Sequence, residues 1–214
     1  MQVQDGGTIE GVVLYQGQVP AQRKIQIVKD QETCRHRSKV VDKIKVNESH
    51  QVAEVVVFLG DIKAGKAIET VAIKAVIDQR TCTFSPHVQV LARYQPVDIV
   101  NNDPIVHNAH VTQNMMTVIN PLQPRQGMRT EFDFSDVGPA RIKCDIHNWM
   151  QAWVYVLWHP YYALTASDGS FRISDVPPGD YELVAWQEHL GERTTTVSVE
   201  AGKTTRVQFD LTNK

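Results

Sequence analysis

The chain of 214 residues carries 22 Lys+Arg against 24 Asp+Glu, which gives a formal net charge of −2 at pH 7. This balance argues against a nucleic acid or an anionic membrane surface as the main partner, because both require clustered cationic charge. With 42% hydrophobic and 21% charged residues, the composition also argues against disorder. The longest apolar run, residues 55–59, is far shorter than the roughly 18 residues of a membrane span. The length predicts one large or two small domains.

Strand signals run through nearly the whole sequence. The predicted strands are rich in Val, Ile, Thr and aromatic residues, and many alternate apolar with polar positions. They cover residues 8–15, 52–59, 70–77, 88–91, 97–100, 141–144, 153–157, 171–173, 181–186, 194–199 and 205–211. Clusters of Gly, Pro, Asn and Asp separate them, as in β-sandwiches. Only residues 35–47 could hold a short helix, so the predicted fold class is all-β.

Three cysteines, Cys34, Cys82 and Cys144, lie far apart and form no CxxC pair, which excludes a c-type haem and a zinc ribbon. An odd number in a secreted protein suggests one disulfide and one thiol with another role. Because Asp145-Ile146-His147 follows Cys144, we expect Cys34 to pair with Cys82. The alternative is three reduced thiols in a cytosolic protein. The polar N-terminus is no secretory signal, so a secreted chain would be a mature form.

The last third of the chain contains two turn motifs, residues 165–171 (TASDGSF) and 176–181 (VPPGDY). In such turns Pro fixes φ and Gly supplies a positive φ, which holds two strands in register. Together with Gly202-Lys203 and the closing strand 205–211, these turns resemble the carboxypeptidase regulatory-like (prealbumin-like) β-sandwich.

The opening strand of that family lies at the other end of the chain. Members usually begin with a Gly-x-Ile/Val-x-Gly-x-Val strand followed by a Pro, which residues 7–13 (GTIEGVV) and Pro20 match. The resemblance therefore implies a discontinuous domain formed by residues 1–62 and 158–214. A second module, residues 63–157, would be inserted between the two parts.

Two motifs in the inserted module carry the chemistry. The first comprises Phe84-Ser85-Pro86, a hairpin, and residues 101–108 (NNDPIVHN). The second is residues 144–150 (CDIHNWM), which has the spacing Cys-x-x-His-x-x-Met and directly precedes a strand. In this order they resemble the cupredoxins, the small blue copper proteins, and the second motif is similar to the short ligand loop of the amicyanin branch. The resemblance implies a Greek-key β-sandwich with one copper ion per chain.

The cupredoxin resemblance implies that His107, Cys144, His147 and Met150 hold the copper. Two imidazoles and a thiolate with a weak thioether suit both Cu(I) and Cu(II), so little has to move when an electron arrives. Asn108 resembles the family residue that ties the two ligand loops together by hydrogen bonds.

Several neighbouring residues leave alternatives open. His87 is expected at the metal-binding end as an additional or displaced ligand, as a pH-sensitive group bonded to a ligand, or as a polar surface residue. Trp149 either caps the core or forms an apolar docking patch. Met115 and Met116 join that patch or fill core space. Asp145 either shifts the reduction potential through its charge or hydrogen-bonds the loop backbone.

The implied function is that of a periplasmic or extracellular mononuclear type 1 copper protein. It would carry single electrons between redox partners, such as a cytochrome c and a periplasmic oxidoreductase, and would not itself be an enzyme. The alternatives are a non-redox β-sandwich interaction module and a copper-delivery or storage protein. The sequence lacks the His-x-His motifs of multicopper oxidases and the Gly-x-Ser-x-Gly elbow of serine hydrolases.

Overall fold

The computed structural model describes residues 3, 5–35, 38–41, 43–63, 65–66, 68 and 74–213. The chain divides into two compact units. Unit 1 comprises Met1–Gln22, Asp42–Ile68 and His159–Lys214, and unit 2 comprises Arg23–Val41 and Glu69–Trp158. Across the described ranges, no helix is long and apolar enough to cross a membrane. Strands dominate both units, which confirms the predicted all-β fold class.

The elements of the first half of the chain are β1 (Gly7–Tyr15), β2 (Arg23–Gln26), α1 (Gln31–Cys34), β3 (Ser38–Val41), β4 (Val56–Leu59), β5 (Ala75–Gln79), β6 (Phe84–Ser85), β7 (Val88–Ala92), β8 (Val97–Asn101) and β9 (His107–Asn108). Those of the second half are β10 (His110–Gln113), β11 (Met116–Ile119), β12 (Leu122–Gln123), β13 (Arg129–Phe132), β14 (Gly138–Lys143), β15 (Gln151–Leu157), β16 (Tyr162–Leu164), β17 (Ser170–Val176), β18 (Gly179–Gln187), β19 (Gly191–Val199) and β20 (Thr204–Leu211).

Unit 1 contains two sheets with the strand orders β17-β1-β20 and β16-β4-β18-β19. Apolar residues of both sheets, including Ile9, Val57 and Leu183, form one buried core. β1 runs antiparallel to β17 and parallel to β20. At Gly11 in β1 a Cβ atom would overlap the carbonyl oxygen of Val207, so this close approach of backbones requires glycine. Packing against β20 thus explains the second glycine of the opening motif, Gly11.

The predicted turn at residues 165–171 forms immediately before β17. Gly169 has a φ of +68°, a left-handed conformation in which glycine costs little. Its carbonyl oxygen accepts the N–H of Val13 in β1 at 3.0 Å, and its own N–H donates to Ala166 at 2.9 Å. The turn therefore joins the last third of the chain to the first strand.

Unit 2 is also built from two larger sheets, with the orders β11-β10-β14-β15-β7 and β13-β8-β5-β6. Neighbouring strands are often distant in sequence, and the pairs β15–β7 and β5–β8 are parallel, so the chain crosses over between the two strands of each pair. Ile77, Ile99 and Ile142 lie in its buried core. β14 and β15 are antiparallel with Lys143 opposite Gln151, so residues 144–150 form the loop between them.

The helix predicted within residues 35–47 is wrong. The helix α1 spans Gln31–Cys34 instead, and it ends where Arg35 adopts a left-handed conformation with a φ of 56°. Ser38–Val41 then forms β3, which pairs with β2. The β-branched residues Val40 and Val41 favour this extended backbone over a helix. Residues 36, 37 and 42 lie outside the described residues.

The observed units differ from the predicted domain boundaries in three places. Unit 1 extends to Ile68 instead of residue 62, and Trp158 belongs to unit 2 instead of the sandwich. The third difference is larger. The sequence assigns residues 1–62 to the discontinuous sandwich, whereas Arg23–Val41 belongs to unit 2. A disulfide between Cys34 and Cys82 ties this segment to unit 2. The strand predicted over 70–77 corresponds to β5, and its positions 70–73 lie outside the described residues.

Candidate metal centre

Three of the predicted ligand residues converge inside unit 2. The Cys144 sulfur lies 3.8 Å from Nδ1 of His107 and 3.7 Å from Nδ1 of His147. The two Nδ1 atoms are 3.0 Å apart. Both histidines are fully buried, and Cys144 is 1% exposed. The structure thus places one soft sulfur and two imidazole nitrogens around a single point.

The ends of three strands position these side chains. His107 begins β9 and lies opposite Gln123 of β12, whereas Cys144 directly follows β14. Within the ligand loop the N–H of Cys144 donates to the carbonyl of Met150 at 3.2 Å, and the N–H of Met150 donates to the carbonyl of His147 at 2.9 Å. Met150 is 1% exposed and sits at the end of the loop. Its role as an axial ligand stays a prediction.

Each imidazole is held from behind by a carboxylate. Nε2 of His107 lies 2.9 Å from an oxygen of Asp103, and Nε2 of His147 lies 2.9 Å from an oxygen of Asp30. A carboxylate only accepts hydrogen bonds, so each ring must carry its proton on Nε2. Nδ1 of each ring then faces Cys144, where it donates to the thiolate when protonated and can bind a metal ion once that proton is lost. Two imidazole nitrogens and a thiolate form a donor set that a soft or borderline metal ion satisfies.

The electrostatics of the site favour a thiolate. Burial raises the pKa of Cys144, but hydrogen bonds with His107 and His147, together with backbone contacts at Asn108 and His147, outweigh burial and lower it to about 6. Burial likewise lowers the pKa of His147, whereas the sulfur of Cys144 and the carboxylate of Asp30 raise it, with a net rise. The thiolate is the form of cysteine that binds metals.

Asn108 ties the two ligand segments together, as the cupredoxin resemblance implies. Its Oδ1 accepts the backbone N–H of Asp145 at 2.8 Å and lies 3.3 Å from the sulfur of Cys144. Its Nδ2 donates to Asn120 at 2.6 Å and to the carboxylate of Asp145 at 2.9 Å. The predicted bridge between the two loops is confirmed.

Asp145 braces the ligand loop from outside. Its carboxylate accepts from Lys143 at 2.9 Å and lies 2.9 Å from Nδ1 of His110. Burial raises the pKa of Asp145, but the bonds from Lys143, Asn108 and His110, with a further one from Asn120, hold it well below its usual range. An effect of this charge on a reduction potential stays a prediction.

Trp149 caps the core. It is 8% exposed, its Nε1 donates to the carbonyl of Cys82 at 3.2 Å, and its ring meets the edge of His147 with centroids 5.2 Å apart. Met115 and Met116, by contrast, are exposed at the tip of the β10–β11 hairpin. The interpretation that these methionines fill core space is wrong, because the hairpin turn carries them outward.

His87 lies at the start of β7, half-buried, with Nδ1 3.3 Å from the carbonyl oxygen of Gln151. Among the described residues, His87 belongs to none of the groups of three or more His, Cys, Asp or Glu side chains whose ligand atoms all lie within 4.8 Å of one another. The position therefore favours a structural role, and direct ligation by His87 gains no support.

The disulfide joins Cys34 to Cys82, with their Cα atoms 5.0 Å apart, which confirms the predicted pair. Each cysteine stands near one of the carboxylates behind the imidazoles. Cys34 follows Asp30 by one helical turn, and the N–H of Cys82 donates to Asp103 at 2.8 Å. Sequence reasoning included Asp103 in the motif of residues 101–108 without giving it a role, and it missed Asp30. Asp103 precedes His107 by four positions, whereas the only signal for Asp30 was its closeness to Cys34.

Comparisons with known proteins bear on both units. The family model of the carboxypeptidase regulatory-like domain matches residues 152–212. No curated protein sequence matches the chain. Cupredoxins are among the similar solved structures.

Three of the similar solved structures illustrate this. A purple cupredoxin from Nitrosopumilus maritimus has 23% identity and a TM-score of 0.35, with 39% of this chain and 100% of that chain covered. A reduced amicyanin variant has 14% identity and a TM-score of 0.36, with 49% and 99% covered. A copper-containing nitrite reductase from Thermus scotoductus has 22% identity and a TM-score of 0.35, with 46% and 25% covered.

Proposed function

We propose that unit 2 binds one copper ion through His107, Cys144 and His147, with Met150 as a weak axial ligand, and that the protein carries single electrons between redox partners. The observation that carries this proposal is the convergence of the Cys144 sulfur with two imidazole Nδ1 atoms, 3.7 and 3.8 Å away. Two imidazoles, one thiolate and a distant thioether are the donor set of blue copper sites. Copper bound there would supply a one-electron couple.

The surrounding residues suit a redox site whose ligands stay in place. Asp103 and Asp30 hold the outer nitrogens of the imidazoles, and Asn108 holds the ligand loop to β9. The ligand atoms are therefore pre-organised, which keeps the rearrangement between two oxidation states small. The burial of His107, His147 and Cys144 supports retention of the copper ion over its delivery to another protein.

A location in the periplasm or outside the cell is part of the proposal. The Cys34–Cys82 disulfide supports it, because structural disulfides persist in oxidising compartments and are rare in the cytosol. The partner would be another redox protein, such as a cytochrome c or a periplasmic oxidoreductase. The proposed role is that of a carrier and not of an enzyme.

The experiment that tests the proposal is addition of Cu(II) to the metal-free protein, removal of the excess, and visible absorption and electron paramagnetic resonance spectroscopy. We expect an intense sulfur-to-copper charge-transfer band with narrow copper hyperfine splitting, which a mild reductant bleaches. Cys144→Ser should abolish the band. Circular dichroism should show that this variant keeps its β structure.

A matched pair of histidine variants tests the ligand set. His107→Gln should remove the intense band, whereas His87→Gln, at a histidine that the ligand group does not include, should retain it. A colourless wild-type protein with weakly absorbing copper would refute the proposed site. Loss of the band in His87→Gln would show that the ligand set is wrong.

A chelator challenge separates an electron carrier from a delivery protein. The buried ligand set predicts that loaded wild-type protein loses copper slowly to a strong external chelator. Rapid transfer to the chelator, at a rate close to that of a surface-bound ion, would favour delivery or storage.

A further inference from the structure

One residue behind the site comes from a part of the chain that the cupredoxin-like motifs do not include. Asp30 lies between β2 and α1, in the segment Arg23–Val41, and this segment belongs to unit 2. The oxygen Oδ2 of Asp30 is 2.9 Å from Nε2 of His147, a residue that follows it by 117 positions. The Asp30 side chain is 30% exposed, whereas that of His147 is fully buried. Asp30 therefore stands between the imidazole and solvent.

The contact fixes the tautomer of His147. Because the carboxylate of Asp30 accepts a hydrogen bond from Nε2–H of His147, Nε2 keeps its proton. Nδ1 is then the nitrogen that can bind a metal ion, on the side where the Cys144 sulfur lies 3.7 Å away. A negative charge on the far side of an imidazole also makes its other nitrogen a stronger donor. A stronger donor favours the metal ion of higher charge.

A local network holds Asp30 in place. The backbone of Asp30 has a left-handed conformation with a φ of 51°, and its carbonyl accepts the N–H of Cys34 at 2.9 Å. Gln31 donates its side-chain amide to the carbonyl of Ile27 at 2.6 Å. Cys34 is bonded covalently to Cys82. The backbone that carries the Asp30 carboxylate is thus anchored to unit 2 through Cys34, four positions later in the chain.

We propose that Asp30 is a positioning residue for the metal site: it orients His147 through Nε2 and stabilises Cu(II) over Cu(I), and the Cys34–Cys82 disulfide keeps it there. The inference rests on the proposed copper function. Asp30 touches neither the ion nor a substrate and acts only through His147. Loss of such a bonding partner behind a ligand typically costs about 10- to 100-fold in metal affinity.

The test compares the reduction potentials of copper-loaded wild type, Asp30→Asn and Asp30→Ala. Asn keeps the size and one acceptor oxygen but removes the charge, whereas Ala removes both. In Asp30→Asn we expect the ratio of the Cu(II) affinity to the Cu(I) affinity to fall at least about tenfold. A tenfold fall corresponds to a rise of about 59 mV in the reduction potential for one electron. The rise in Asp30→Ala should be larger.

The matched control is Glu32→Gln, which removes the same charge from the same segment at an exposed position two residues away. Its potential should stay close to that of the wild type. An equal shift in Glu32→Gln would show that the general charge of the segment acts and not the bond to His147, and this would overturn the inference. An unchanged potential in both Asp30 variants would also overturn it, although the copper function would stand.

A measurement on metal-free protein gives an independent readout. Nitrogen-15 spectra of His147 should show the proton on Nε2 in the wild type, with slow exchange of this proton with solvent. In Asp30→Ala the exchange should accelerate, and in Glu32→Gln it should not. Failure of the wild type to form a thiolate-copper band would refute the proposed function itself. Absence of a proton on Nε2 of His147 in the wild type would overturn the inference alone.

Discussion

Oδ1 of Asn108 accepts the backbone N–H of Asp145 at 2.8 Å and lies 3.3 Å from the sulfur of Cys144. One side chain on β9 therefore fixes the start of the ligand loop, although the two segments are more than 30 positions apart in sequence. The first imidazole ligand, His107, is the neighbour of Asn108. This amide therefore helps to fix the distance between the His107 imidazole and the Cys144 sulfur.

Asn108→Ala should loosen the ligand loop. The variant removes the acceptor of the Asp145 N–H and leaves polar groups without partners, which costs about 1–3 kcal/mol. We expect the free energy of unfolding of the metal-free protein to fall by that amount in denaturant titrations, and copper loss to a chelator to accelerate. Asn120→Ala is the control, because Asn120 is exposed and bonds side chains only. Equal effects in both variants would contradict the role given to Asn108.

Cys34→Ser/Cys82→Ser should destabilise unit 2. The disulfide closes a loop with a sequence separation of 48, for which the chain-entropy model gives about 4 kcal/mol. The free energy of unfolding should fall by an amount of this order. The reduction potential should also rise towards that of Asp30→Asn, because Asp30 loses its anchor. A fully stable double variant with an unchanged potential would contradict both expectations.

His159 should make the stability of unit 1 depend on pH. Burial lowers the pKa of His159, and its bond to the carbonyl of Leu59 offsets this only in part. Its Nδ1 accepts the N–H of Tyr161, and that bond is lost when Nδ1 takes up a proton. The unfolded chain binds this proton with a pKa of about 6.5, and the folded chain binds it more weakly.

Unfolding therefore takes up a proton as the pH falls, so the free energy of unfolding should decrease below about pH 6.5. The slope for one group is at most about 1.4 kcal/mol per pH unit. Denaturant titrations between about pH 7 and pH 5 should show a shallower dependence in His159→Gln than in the wild type. His50→Gln, at an exposed histidine, should keep the wild-type slope. Identical slopes in all three proteins would refute the assignment.

Much of the fold and of the site was predictable because it depends on local patterns. Alternating Val, Ile and Thr indicated β1, β7, β8 and β20, and the turn at residues 165–171 followed from its Asp-Gly pair. The Cys-x-x-His-x-x-Met motif of residues 144–150 indicated a ligand loop through its resemblance to the cupredoxins. Such features depend only on residues that are close to one another in sequence.

The rest could not be predicted because it depends on distant contacts. Val40 and Val41 pair with β2, and this pairing overrides the weak helix signal that follows Cys34. The assignment of Arg23–Val41 to unit 2 depends on where Cys34 meets Cys82. Nothing in the residues around Asp30 indicates an imidazole partner that follows it by 117 positions.

The parallel pairing of β1 with β20 has a consequence for biosynthesis. A ribosome completes Gly7–Tyr15 before Ser170–Val176 and Thr204–Leu211, so β1 must wait for both of its neighbours in the sheet. Unit 2 has all its strands once Leu157 has emerged. Because domains tend to fold as units during synthesis, the candidate copper unit should be folded in the nascent chain while the sandwich that encloses it in sequence is still incomplete.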